Sequence, residues 1–181
     1  GGGRLVGYDQ HADFASATAQ WVAEHGMDAD LRHAPLGEAP KGWPGQWYQL
    51  TDVPERIDLL IIDGPPWTVH PNVRGAAEVL FDRIPVGGRV LLDDAARPGE
   101  RVVASRWRKN WPGFSFRYDG RGSKGTLIGI RSIAMSLTLG FDKQGLQHWK
   151  TPITYGPGII ERLMAHDWPA GVLMNVNYPR S

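Results

Sequence analysis

Short apolar runs that stop at an acid recur along this chain. Residues 4–9 read Arg-Leu-Val-Gly-Tyr-Asp, a strand that ends at Asp9. Leu59-Leu60-Ile61-Ile62 is an unbroken apolar run that stops at Asp63, and Gly64-Pro65-Pro66 then ends any regular structure. Arg89-Val90-Leu91-Leu92 repeats the pattern and stops at Asp93-Asp94. Strands that are apolar on both sides belong in parallel sheets covered by helices on both faces. Helical spacing appears between them. Phe14, Ala17, Trp21 and Val22 recur at about 3.6 residues, with Asp13 as the expected N-cap and Gly26 as the stop. Residues 72–83 place Val73, Ala76, Ala77, Leu80 and Phe81 on one helical face, and residues 100–110 do the same with Val102, Val103 and Trp107.

Weaker signals fill in the rest. Residues 30–36 predict a short strand, 37–45 a Pro- and Gly-rich loop, and 47–50 a minor strand. Residues 114–118 alternate as a half-buried strand does, and a turn at 120–124 leads into a strand from Gly125, so these two form an antiparallel hairpin. Beyond Arg131 the pattern continues without a linker: a strand over 132–137, a helix over 154–166 and a strand with its exit over 171–179. Alternating strands and helices imply right-handed crossovers. The expected fold class is α/β: a doubly wound, mostly parallel, Rossmann-like sheet with helices on both faces.

A length of 181 residues fits one domain with an extension. A formal net charge of +1 gives no electrostatic case for nucleic acid or an acidic membrane surface. No apolar stretch approaches the ~20 residues that cross a bilayer. The first residues lack the long apolar core of a signal peptide, which leads to an expectation of a cytoplasmic protein acting on a small-molecule substrate. Nothing in the pattern fixes the oligomeric state. The absence of cysteine excludes disulfides, thiolate metal sites and a cysteine nucleophile. Eight tryptophans are many for this length; Trp43, Trp47, Trp107 and Trp111, of which Trp43 and Trp111 adjoin Pro or Gly, are expected to close the core at loop edges.

The candidate chemistry is the acids. In open α/β sheets, ligands bind beyond the carboxyl ends of the strands. Asp9, Asp63, Asp93 and Asp94 all stand at such ends. The six histidines are scattered without metal-ligand spacing on one helix face. His70 follows the Asp63 turn and is read as a solvated loop residue rather than a base. Arg97, Arg101, Arg106, Arg108 and Lys109 read as one solvated helix face.

Three motifs in order, Gly7-Tyr8-Asp9, Ile62-Asp63-Gly64-Pro65-Pro66 and Gly88-Arg89-Val90-Leu91-Leu92-Asp93-Asp94, resemble those of the class I S-adenosylmethionine-dependent methyltransferases. The likeness covers residues 4–131 and includes the closing strand Lys124-Gly125-Thr126-Leu127-Ile128-Gly129-Ile130-Arg131. It implies a methyl group moved from S-adenosylmethionine to a small acceptor. Asp9 would accept hydrogen bonds from the cofactor ribose; Asp63 and Asp94 would act on the acceptor side. In metal-dependent members, oxygen ligands at these tips hold a divalent cation such as Mg²⁺, which here would fall to Asp63, Asp93 and Asp94. Two departures stand out. Ala95 replaces an Asn often found there, and no first strand with its glycine-rich loop precedes Arg4.

A second resemblance begins near residue 129. Gly129-Ile130-Arg131-Ser132-Ile133-Ala134-Met135-Ser136-Leu137 and Trp168-Pro169-Ala170-Gly171-Val172-Leu173-Met174-Asn175-Val176-Asn177-Tyr178-Pro179 are similar to segments of the SurE 5′/3′-nucleotidases. That family's N-terminal metal-binding motif has no counterpart here. The chain is therefore read as a partial methyltransferase-like domain over 1–131, with a SurE-like segment over 132–181 packed on or completing the same sheet. The other functional readings are a metal-dependent nucleotidase relative and a non-catalytic α/β module.

Overall fold

The computed structural model describes residues 3–137, 150–166 and 175–178. The elements follow the alternating pattern. Strand β1 (Leu5–Asp9), helix α1 (Ala12–Glu24) and strand β2 (Ala29–His33) form a parallel β-α-β unit, with Leu5 opposite Ala29 and Asp9 opposite His33. The hairpin of β3 (Leu36–Glu38) and β4 (Gln46–Tyr48) comes next. Then follow β5 (Leu59–Ile62), a 3-10 segment (Val73–Arg83), β6 (Arg89–Leu92), α2 (Pro98–Asn110), β7 (Phe114–Asp119) and β8 (Thr126–Arg131). Last come β9 (Ala134–Leu137), α3 (Lys150–Met164) and β10 (Asn175–Tyr178). The remainder of the strand expected over 171–179 lies outside the described residues.

The fold is mixed α/β. The four-stranded sheet has the order β5-β6-β8-β7, in which only β5–β6 is parallel, and β7–β8 is the antiparallel hairpin expected from the sequence. β1–β2 and β9–β10 are separate parallel ladders. Among the described residues, the tail strands therefore pair with each other and with neither edge of the four-stranded sheet.

The core lies on one face of that sheet. Leu60, Ile62, Val90, Leu92 and Leu127 point toward the 3-10 segment and α2, and most are almost fully buried. Phe81 is the centre of an aromatic cluster. Its ring stands 4.9 Å from Trp107 and 5.2 Å from Trp111, both edge-to-face, and 5.1 Å from Phe114. Such pairs add roughly 0.5–1.5 kcal/mol to the burial of the rings. The indoles also find acceptors: Trp43 and Trp111 donate to the two carboxylate oxygens of Glu78 at 2.8 and 3.0 Å, and Trp107 donates to the Gly75 carbonyl at 3.0 Å. Arg106 lies over the Trp43 ring at 3.7 Å. These tryptophans are structural, as expected, and Arg106 belongs to their packing rather than to a free basic face.

The opposite face overturns one expectation. The ladder register puts Leu59, Ile61, Leu91, Ile128 and Ile130 on one side. Leu59 is 51% exposed, Ile61 62% and Ile130 38%. Among the described residues no helix covers them, so the apolar run of β5 is buried on one face only. Helix α1 departs similarly. Its N-cap is His11, not Asp13, and Phe14 and Trp21 are exposed while Ala15 is buried. A helix of spaced apolar residues buries them only if a surface lies opposite, and β1–β2 alone is too narrow to cover that side.

Candidate functional site

The site is built by register. β5 and β6 run parallel with Ile62 opposite Leu92. The ladder continues one step further, as the Asp93 amide donates to the Ile62 carbonyl at 3.0 Å. The two strands therefore end together, and the residues after them fall side by side. Carboxylate oxygens of Asp63, Asp93 and Asp94 all lie within 4.8 Å of one another. Asp63 is exposed, Asp93 half-buried and Asp94 buried.

Asp94 is held by its backbone. Its φ of 56° lies in the left-handed region, which Asp tolerates better than most residues. The bend turns the carboxylate inward, where it is 3% exposed. The turn closes with the Ala95 amide on the Gly125 carbonyl and the Ala96 amide on the Lys124 carbonyl, tying the β6 tip to β8.

Arg74 binds the two tips together. This guanidinium, 4% exposed, donates to the carbonyls of Asp63 at 2.5 Å, Pro65 at 3.2 Å and Asp93 at 3.3 Å. It also meets the carboxylates of Asp63 and Asp94, each at 3.3 Å. Arg97 reaches the same Asp94 oxygen at 2.8 Å, and Lys124 lies 3.3 Å from the other one. Glu100, in the first turn of α2, is 1% exposed, with Arg74 3.8 Å away. Burial pushes its carboxyl above the ordinary range, and the nearby Arg74 only partly offsets this. Gly99 lets this helix start so close: a Cβ there would overlap the Pro71 carbonyl.

Asp9 stands at the β1 tip. One carboxylate oxygen accepts the His11 amide at 2.7 Å, which fixes the entry to α1. Tyr48 lies against the turn that follows β5. A Cβ on Gly64 would overlap the Tyr48 hydroxyl oxygen, so the phenol rests on the turn that follows Asp63. Its pKa is pushed up to about 12, mainly by burial and next by the Asp9 charge; Asp63 adds to the rise and Arg74 opposes it. Both acids thus act on one phenol.

The structure brings together Asp63, Asp93 and Asp94, and Asp9 is not part of that cluster. It leaves His70 out: its Nδ1 accepts the Asn72 amide at 3.1 Å and shapes a turn. Sequence reasoning missed Arg74, Tyr48 and Glu100. Arg74 and Glu100 left a faint signal as charges embedded in segments of core periodicity. Tyr48 left only its place on a minor strand.

Comparison with known proteins finds two kinds of likeness. A methyltransferase from Pyrococcus furiosus superposes with a TM-score of 0.50 at 17% identity, covering 72% of this chain and 64% of that one. This likeness is one of fold. The 5′-nucleotidase SurE of Caulobacter vibrioides strain NA1000 is 46% identical over 57 residues, 31% of this chain and 22% of that protein. Its counterpart in Caulobacter sp. strain K31 is 44% identical over 57 residues, 31% of this chain and 21% of that protein. The chain spans about a fifth of the length of these curated relatives. No protein-family model matches it. Among the described residues no helix is long and apolar enough to cross a membrane.

Proposed function

We propose that the acidic rim is the binding site of an S-adenosylmethionine-dependent methyltransferase acting on a small acceptor. The observation that carries this reading is the convergence of Asp63, Asp93 and Asp94 at the carboxyl ends of β5 and β6, with Asp9 at the end of β1. Asp9 has one carboxylate oxygen engaged by the His11 amide and offers the other to a ribose hydroxyl. Methyl transfer depends chiefly on alignment of sulfur, methyl and nucleophile. Asp63, being exposed, orients the acceptor. Asp94 holds the tip in shape through Arg74 and Arg97.

A divalent cation would be held by Asp63, Asp93 and Asp94, where it would polarise an acceptor oxygen. Their spacing suits a hard ion, but Arg74, Arg97 and Lys124 already neutralise Asp94. An ion would have to compete with them, so its affinity should be low.

Calorimetric titration with S-adenosylhomocysteine tests the reading. Binding that Asp9→Asn weakens at least tenfold is the expected result. No heat at millimolar ligand from a folded protein would remove it. The SurE-like segment supports a second reading, a relative of metal-dependent nucleotidases. Phosphate release from nucleoside monophosphates with Mg²⁺ or Mn²⁺ would favour that one. Failure of both assays leaves a non-catalytic α/β module.

A further inference from the structure

Two apolar surfaces of this chain have no cover among the described residues, and they differ in kind. One is the outer face of the four-stranded sheet, where Leu59, Ile61 and Ile130 are exposed beside half-buried Leu91 and Ile128. The ladder register puts Arg89 and Arg117 on that same face, opposite Ile130 and Ile128. Leu91, Ile128 and Thr126 line a shallow depression there, with Asp119 and its ion-pair partner Arg121 at the edge. The margin thus carries three arginines against one acid. The other surface is the outer side of α1. Phe14 and Trp21 stand seven residues apart and share one helix face, with Ala17 and Thr18 between them, all exposed. Both rings are held: Trp21 stacks on His25 at 4.1 Å, and Phe14 meets His11 edge-on at 5.2 Å. The helix carries Asp13 and Glu24 and no Lys or Arg.

We propose that this chain associates with a second copy of itself, α1 of one copy lying across the outer sheet face of the other with Trp21 as the anchor. Contiguous exposed apolar surface marks an interaction site, and the charges at the margins decide which surfaces meet. Sheet against sheet would set Arg89, Arg117 and Arg121 against their own copies. Helix against helix would do the same with Asp13 and Glu24. Helix against sheet pairs acid with base. The sizes agree: 13 residues of helix are about 20 Å long, and the outer strands of a four-stranded sheet stand about 14 Å apart. Made in both directions, the contact closes a two-fold dimer. It lies on the face turned away from the 3-10 segment and α2 and is independent of the cofactor reading.

Sedimentation equilibrium of the whole chain tests this. The parent should sediment above the mass of a single chain. Trp21→Arg and Ile61→Glu change exposed side chains, so both variants should keep the parent's circular dichroism and melting. Each should weaken association at least tenfold, as loss of an interface anchor does. Mixed in equal amounts, the two variants should associate again, because the intact α1 of one meets the intact sheet of the other. A parent that stays monomeric at about 0.1 mM overturns the proposal. So does a folded variant that associates as well as the parent, or a mixture that recovers nothing, which would mean that like surfaces meet.

Discussion

Arg74 faces Asp94 across the junction of β5 and β6, Nη1 3.3 Å from Oδ2, with both side chains 4% exposed. Removing one partner of a buried pair strands the other, at a cost of about 3–5 kcal/mol. Arg74 also holds three carbonyls of the two strand tips. Arg74→Gln should therefore lower the stability measured by urea unfolding by about that amount. It should also open the acid cluster to metal, so that Mg²⁺ or Mn²⁺ restores part of the loss in the variant and adds little to the parent. Unchanged stability would show that the guanidinium is not the counter-ion of the rim.

Glu100 carries a pH signature. Its folded pKa is raised, so between the ordinary glutamate value and the folded one the native state holds the proton more tightly than the unfolded chain. Stability conferred by this group is present at low pH and lost as pH rises through that window. Glu100→Gln should raise the melting temperature at pH 7 by about 2–4 °C, the shift expected for about 1 kcal/mol at this length. Below pH 4 the difference should vanish in thermal scans. A variant that melts lower at pH 7 would mean that the Arg74 contact outweighs the cost of burial.

Gly64 can be tested without touching an acid. A methyl group there would overlap the Tyr48 hydroxyl oxygen, and β4 would have to give way. Gly64→Ala should cost about 1–3 kcal/mol in urea unfolding, and Tyr48→Phe, which removes the overlapping oxygen, should recover part of that loss in the double variant. Independent, additive losses would separate the glycine from the phenol.

The aromatic cluster should dominate stability. Phe81 is fully buried and touches four other rings. Phe81→Ala should cost about 3–5 kcal/mol in denaturant unfolding. A loss below about 1 kcal/mol would contradict its central place.

Asp119 gives the opposite pH response. Arg121 hydrogen-bonds its carboxylate and holds the pKa down at about 2. The stabilisation is present above the ordinary aspartate range and is lost as pH falls through that window toward about 2. Asp119→Asn should flatten acid unfolding there, followed by circular dichroism.

The parts of the fold legible in the sequence were those written as continuous pattern. β5, β6 and the β7–β8 hairpin came from apolar runs and alternation, and α2 from periodicity. The acids at the strand ends were legible because an apolar run makes its terminating charge conspicuous. What failed were the inferences about neighbours. The run of β5 does not say how many of its faces are covered, and Leu59 and Ile61 are exposed. Phe14 and Trp21 had helical spacing but no opposing surface. Arg74 lies eleven residues from Asp63 in sequence and meets it only because the 3-10 segment folds back over the tips. No local pattern encodes such a return.

The bond from the Asp93 amide to the Ile62 carbonyl has one more consequence. It fixes how the two strands are counted against each other, and side chains alternate faces at every step. Inserting or deleting a single residue inside β5 or β6 would swing the acids away from their neighbours, whatever amino acid was used. Length changes in the 49–58 connection leave that count intact. Indels, more than substitutions, are thus the changes this rim is least able to absorb.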